Sequence, residues 1–439
     1  MARVDGAKTR IQATCLDASG RAEVTRVFLL LRRHFPAGVR LLLLTSGFML
    51  ALLISMTPAQ AQALDIGDPG QALTQYRIDR WQTEQGLPLN TVQCLLQTRD
   101  GYLWAGTGGG LTRFDGVRFR TFESSEVPEL ASRPIFGLME DSQNTLWIGH
   151  SEGVILHENG RFRHVFGREV TDGRRVWAFS EAEDGSIWIA TANGLVHWDE
   201  RVIRIYQEDD GLPTRQLRTL AFDNRGVLWI GTTGGGLVSF DGNRFETFDS
   251  GNGFPHDEVR HVLADSGGSV WAATAGGGLV HLRDGSIEKT YTVADGLPTN
   301  QLVYLSLDDE GSLWIATWGE GLCRMREGRF DSISTEEGLA GGQLWSVHAD
   351  MEGSIWVGTW VGGLNRLRDR DFLVLGSPEG LSNDNVRSVA HARDGAAWIT
   401  TAGGGVNRIH EGRIETIGTA EGLPSDEASC IFEDRDGAI

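Results

Sequence analysis

The sequence predicts an all-β chain: a β-propeller of four-stranded blades of about 42 residues, seven in a first ring, then the start of a second. Three observations predict it. One phrase recurs eight times at nearly constant spacing. Each copy holds four short runs of strand-forming residues, and glycines or Asp-Gly pairs separate those runs. The recurring mark is a tryptophan, at Trp104, Trp147, Trp188, Trp229, Trp271, Trp314, Trp356 and Trp398, in steps of 41 to 43 residues. Apolar residues make up 40% of the chain, enough for a core, so general disorder is excluded.

Each blade divides in the same way. In the first, strand A is expected over 91–97, strand B over 102–107, strand C over 111–114 and strand D over 118–122. Asp115-Gly116 suits the positive φ angles of a two-residue hairpin turn between C and D. Residues 75–81 match the D-strand phrase that precedes Gly86-Leu87-Pro88, so they are available to complete a blade begun elsewhere in the chain. Blades one to seven are expected to close one ring within 64–375, and blade eight with part of a ninth, 376–439, to begin another. An eight-bladed ring is the competing closure, because repeat count alone does not fix blade number. The ninth unit opens at Glu421-Gly422-Leu423-Pro424, and Ile439 falls just before its tryptophan is due, so the array is expected to continue in the intact protein.

The amino-terminal segment has a different character. Residues 41–54 (LLLLTSGFMLALLI) are almost uncharged, follow Arg32, Arg33 and Arg40, and precede Ala61-Gln62-Ala63. This reads as a signal peptide over 1–63 with a long n-region and cleavage after Ala63, with an uncleaved anchor as the alternative. The formal charge is −19, from 40 Lys and Arg against 59 Asp and Glu. Such an acidic chain does not suit nucleic acid, which binds basic surfaces. Four cysteines in a chain this long do not form a disulfide framework, and no C-x-x-C pair exists. Cys94 falls within a strand and is expected as a small buried hydrophobe.

The phrase itself, GYLWAGTGGGLTRFDG at 101–116 and GVLWIGTTGGGLVSFDG at 226–242, resembles the two-component regulator propeller repeat. The resemblance runs from Gln75 to Ile439. It implies the periplasmic sensor region of a bacterial signalling protein. In that family two successive propellers, a β-sandwich and a membrane helix precede a histidine kinase or diguanylate cyclase. No such output domain lies in these 439 residues, so it is expected elsewhere in the intact protein.

Several motifs have plainer readings. The sequence GHSEG at 149–153 fits the G-x-S-x-G nucleophile elbow, but it joins two strands where that elbow needs a strand and a helix. Glycine runs such as 108–110 lack the GK[ST] of a phosphate loop and lead into strands. His256 and His261, five apart on an expected strand, point to opposite faces, so no metal site is expected there. Asp141, Asp223, Asp265, Asp308 and Asp350 each open a D-x-x-G turn, where a carboxylate caps its own backbone; they do not make a calcium loop. The tryptophan found in every blade is read as packing between blades. No cofactor is expected.

Functional signal should lie where one blade departs from the others. The slot after the B-strand threonine is small or polar in six blades but Trp318 and Trp360 in blades six and seven, and Glu320 replaces a repeat glycine. The slot before strand A is Arg133, Arg174 and Arg215 in three consecutive blades. Both slots belong to the face shared by the D–A and B–C loops, around the channel mouth, where ligands prefer to bind. These six residues are the expected ligand-binding set, for a small anionic molecule such as an acidic saccharide. The bland alternative is that the arginines pair with nearby carboxylates and the tryptophans cover a wide mouth. The function this implies is ligand sensing in the periplasm by part of a signal-transduction protein. A secreted lyase- or lactonase-like enzyme and a protein-binding scaffold are the other readings. Glu320 is a lone acid without a histidine beside it, so no catalytic residue is expected. Membrane contact is expected only through the signal or anchor segment or a downstream helix, and the intact protein is a candidate homodimer.

Overall fold

Alternation of apolar and polar residues along short runs, broken by glycine, dictates strands with one face buried, and strands are what forms. The structure, a computed structural model, describes residues 76–439 apart from 124, 126, 129, 131–132, 200–202, 370–372 and 411–412. Leu73 and the backbone of 28–30, 40–41 and 63–65 are also described. The signal segment and its cleavage point therefore lie outside the described residues, short backbone stretches apart. No helix among the described residues is long and apolar enough to cross a membrane.

The chain divides into two compact units, one of Arg77–Arg368 and one of Met1–Tyr76 with Asp369–Ile439. In the first unit, blade one consists of Val92–Gln97, Leu103–Thr107, Gly110–Phe114 and Phe119–Thr121, paired antiparallel in that order. Strands A of the next six blades are Ile135–Glu140, Val176–Glu181, Leu217–Phe222, Val259–Ala264, Leu302–Leu307 and Leu344–Ala349. Each packs against the next, and Leu344–Ala349 packs back against Val92–Gln97, so seven inner strands surround one channel. The sheet begun at Leu344–Ala349 takes its fourth, outermost strand from Tyr76–Trp81, at the other end of the unit. In the second unit, Val386–His391, Ala397–Thr401, Val406–His410 and Arg413–Ile417 form another four-stranded sheet, with Ala63–Asp65 pairing along Arg413–Ile417.

The repeat phrase builds each blade through one turn. Asp141 Oδ1 accepts the backbone N–H groups of Gln143 and Thr145, while its Oδ2 accepts the indole N–H of Trp147 at 2.8 Å. The same carboxylate–indole bond joins Asp223 to Trp229, Asp308 to Trp314 and Asp350 to Trp356. With or without that bond the tryptophan enters the core shared with the following blade, as Trp188 does in blade three, where Ala182 takes the aspartate's place. Trp188 packs among Leu217, Leu220 and Ile230, and Trp356 among Val92, Leu95 and Leu103. The G of the E-G-L-P phrase ends a short 3-10 turn: Gly86 sits at φ +103°, a conformation that excludes most side chains. These turns recur before strand A in most blades, and one helical turn, Arg168–Thr171, follows blade two. They are the exceptions to the expected all-strand chain.

Two expectations need adjustment. His256 lies in the loop before Val259–Ala264 and not on the strand, and its Nδ1 accepts the N–H of Glu258. Strand D of blade one is shorter than expected, Phe119–Thr121, because Asp115 caps the turn by accepting the N–H groups of Val117 and Arg118. Cys94 and Cys323 are buried, and Cys94, Cys323 and Cys430 are unpaired with one another.

The closing strand is held by specific contacts. Trp81 stacks on Trp356 with ring centroids 5.4 Å apart and meets Phe114 edge-on at 5.3 Å. Asp79 pairs with Arg366 at 2.8 Å and Arg368 at 3.1 Å. Burial pushes the Asp79 carboxyl upward, but the Arg366 hydrogen bond and the charges of Arg368, Arg77 and Arg366 outweigh it and hold it below the usual carboxylate range. A lowered carboxyl contributes stability that is complete above its unfolded value, near pH 4, and fades as pH falls through the folded value. Asp79→Asn should therefore cost about 1–2 kcal/mol at pH 7 in denaturant titration. The difference from the parent protein should shrink as pH falls below the free carboxyl's value, near 4.

Candidate functional site

The inner strands converge on the channel, and their first residues do so with a regular irregularity. In every blade the pairing of strand A with strand B slips at the second residue of strand A: Val92 pairs with Thr107 but Cys94 with Gly106, leaving Gln93 unpaired. The same slip sets aside Phe136, Trp177, Arg218, Arg260, Val303 and Trp345 in blades two to seven. A bulge of this kind re-aims the extra side chain. All seven of these side chains line one chamber of about 110 Å³ at the head of the channel.

Arginine and aromatic side chains interleave around the chamber. The Arg218 guanidinium lies 4.2 Å from the centroid of the Trp177 ring and 6.0 Å from that of Trp345 across the channel. Arg175 stands over Phe136 at 4.9 Å and Trp177 at 5.4 Å, and Arg260 is 5.9 Å from Trp318. Arg260 is neutralised by Glu258 at 3.0 Å. Among the described residues Arg218 has no carboxylate or hydrogen-bond partner. Burial, opposed by the charge of Glu258 and reinforced by those of Arg260 and Arg175, pulls Arg218 down to about 10, so it stays a cation at neutral pH. Below it, His261 and Tyr304 stack with centroids 3.7 Å apart. Burial holds His261 down at about 3 and pushes the Tyr304 phenol up, so both are neutral.

The expected site residues divide into two groups. Trp318 and Trp360 do come together, 6.1 Å apart, and each contacts Trp345. The resulting triad joins their rim positions to the chamber. Glu320 is exposed on the same blade-six turn as Trp318 and does not line the chamber. Arg133, Arg174 and Arg215 do not line it either. They pair with Glu152 at 3.3 Å, Asp172 at 3.8 Å and Glu208 at 3.0 Å. The reason is visible in the blades that carry Asn or Asp in the same slot. There the side chain turns back to cap the preceding 3-10 turn: Asn90 accepts the N–H of Thr83, Asp257 that of Ser250 and Asn300 that of Val293. Arg215 reaches back over the same seven residues to Glu208. In these blades the slot fastens the D–A loop, whereas Arg133 is held by Glu152 on the B–C turn of blade two. The residues facing the channel lie three positions later, at the bulge. A signal for them existed: directly after the aliphatic residue that opens strand A in each blade, this one position reads Gln, Phe, Trp, Arg, Arg, Val and Trp around the ring.

The two component regulator propeller model matches residues 86–109 and 200–234; each segment holds a D–A turn and the strands A and B that follow it, in blades one and four. Over those two segments the chain matches the two component regulator propeller repeat. Its fold is similar to the extracellular domain of a protein from B. thetaiotaomicron assigned to the hybrid two component systems, at 25% identity and TM-score 0.66. That likeness covers 82% of this chain and 51% of the other, so the chain spans about half the length of that extracellular domain. Virginiamycin B lyase from Staphylococcus aureus, solved with quinupristin, shares the fold at 12% identity and TM-score 0.54, over 66% of this chain and 99% of the lyase. PorZ, a surface component of the type-IX secretion system of Porphyromonas gingivalis, does so at 16% identity and TM-score 0.53, over 73% of this chain and 52% of PorZ. No curated protein matches the chain.

A half-buried cation without a counter-ion is a cost to folding. Arg218→Met, which keeps an unbranched side chain against Trp177, should leave the propeller as stable as before or raise its stability by up to about 1 kcal/mol. A loss greater than that in urea titration would mean that Arg218 serves the fold and not a ligand.

Proposed function

We propose that this propeller is the ligand-binding part of a periplasmic sensor, and that the channel chamber binds a small anion whose capture is the sensing step. The observation that carries the reading is Arg218: a guanidinium held over Trp177, facing Trp345, with no carboxylate partner of its own. A planar cation of this kind recognises carboxylate or sulfate through paired hydrogen bonds. Arg175 adds positive charge beside it, and the Trp318, Trp345 and Trp360 cluster offers ring faces for the apolar side of a sugar or similar body. The family resemblance and the likeness to an extracellular two component domain support the periplasmic placement and an output domain elsewhere in the intact protein.

The chamber reads as a binding site and not as a catalytic one. Its titratable groups besides the arginines are Cys94, His261 and Tyr304, and burial keeps each in its neutral form: the thiol is pushed up to about 12. None is poised to exchange a proton near neutral pH. The likeness to the lyase is one of fold, and fold alone does not carry a reaction.

Calorimetry with acidic and neutral mono- and disaccharides and simple organic acids tests the reading. Anions should bind and their neutral counterparts should not. Arg218→Ala should weaken binding by roughly thirtyfold, the effect of losing an anchor worth about 2 kcal/mol. Arg215→Ala, which removes an exposed loop ion pair, should change it by less than about twofold. Equal effects of the two substitutions would move the site back to the loop rim.

A further inference from the structure

The chamber contains more than a cation. The indole Nε1–H of Trp345 and the amide oxygen of Gln93 are both buried, and neither has a hydrogen-bond partner among the described residues. They occupy the same bulge position on the neighbouring strands Leu344–Ala349 and Val92–Gln97, and both line the chamber with Arg218. Indole is a donor only, and an amide oxygen an acceptor only. Buried polar groups are rarely left unmatched, since each lost partner costs about 1–3 kcal/mol. An occupant that reaches these two atoms matches them by offering an acceptor to Trp345 and a donor to Gln93, close to a negative charge for Arg218. The space limits its size: about 110 Å³ equals roughly three or four waters of about 30 Å³ each.

We propose that the chamber recognises an α-hydroxy carboxylate, resting on the reading of Arg218 as the anion anchor. The carboxylate pairs with Arg218, the hydroxyl oxygen accepts from Trp345 Nε1–H, and the hydroxyl proton is donated to the Gln93 amide oxygen. A simple carboxylate satisfies Arg218 but leaves both polar groups unmatched. The same unit occurs in a small acid such as lactate and at the end of a longer one such as gluconate, and chamber size separates the two. Lactate fits whole, whereas gluconate must leave its tail among Trp318, Trp345 and Trp360.

Calorimetry on the full chain tests this with lactate, propionate and gluconate, the fold of every variant being checked by thermal melting. Lactate should bind at least about tenfold more tightly than propionate, the equivalent of about 1.4 kcal/mol. Trp345→Phe, which keeps the ring and removes the donor, and Gln93→Leu should each shrink that ratio below about threefold, while Arg218→Ala weakens both acids alike. Trp360→Ala should weaken gluconate and spare lactate. Equal affinity for lactate and propionate, or an unchanged ratio in Trp345→Phe and Gln93→Leu, overturns the proposal. So does failure of both hydroxy acids to bind at millimolar concentration. If an acidic disaccharide then binds and loses affinity in Arg218→Ala, the anion-site reading stands without the hydroxy-acid chamber. If Arg218→Ala alters the binding of no anion, both fall.

Discussion

Pairing between Tyr76–Trp81 and the sheet of Leu344–Ala349 is the constraint on which the ring depends. Six blades fold from contiguous sequence, each from strands joined by short turns. The seventh cannot be completed until residues separated by 287 positions, Asp79 and Arg366, meet. Closure by an outer strand fastens the ring with backbone hydrogen bonds, while Trp81 against Trp356 and Phe114 adds aromatic packing across the first and last blades. Because Trp356 lies in one core with Val92, Leu95 and Leu103, the closing blade is packed against the first as every other blade is packed against its successor. The Asp–Trp turns supply local order and the closing strand turns a row of sheets into a cycle.

Closure also creates the site. Each inner strand carries a bulge at its second residue, and the ring brings seven of these bulges together around one chamber. The bulge frees one side chain per blade from the sheet and directs it into the channel, so a ring of seven independent positions exists that the sheets themselves do not need. The fold tolerates great variety there, from Val303 to Arg218 and Trp345. Variety at a position without a structural duty is what a recognition surface requires. The unpaired charge of Arg218 and the unmatched polar atoms of Trp345 and Gln93 are costs that a purely structural channel would avoid.

How much of this was legible in the sequence follows from the repeat. Spacing of the tryptophans, the turn aspartates and the glycine phrases determined the blade, its strands to within a residue or two, and the availability of residues 75–81 as a strand. Comparison between blades also singled out Trp318 and Trp360, because a large residue in a slot of small ones is visible without coordinates. Arginines and aromatic rings do meet at the channel, but they interleave: Arg175 stands over Phe136, Arg218 over Trp177, and Arg260 near Trp318.

Which arginines serve that role was decided only by the tertiary structure. Arg133, Arg174 and Arg215 and the channel residues three positions later all lie near the start of strand A, and both sets vary from blade to blade. Side-chain direction separates them, and it depends on two features that strand periodicity does not contain. The residue before strand A folds back onto a 3-10 turn seven residues earlier, as Asn90 does on Thr83, and so belongs to the loop. The second residue of strand A is released by a bulge, which breaks the alternation from which a facing would be inferred. The repeat thus determined the fold and a shortlist of unusual side chains. The crowding of seven strands around one axis decided which of those side chains meet.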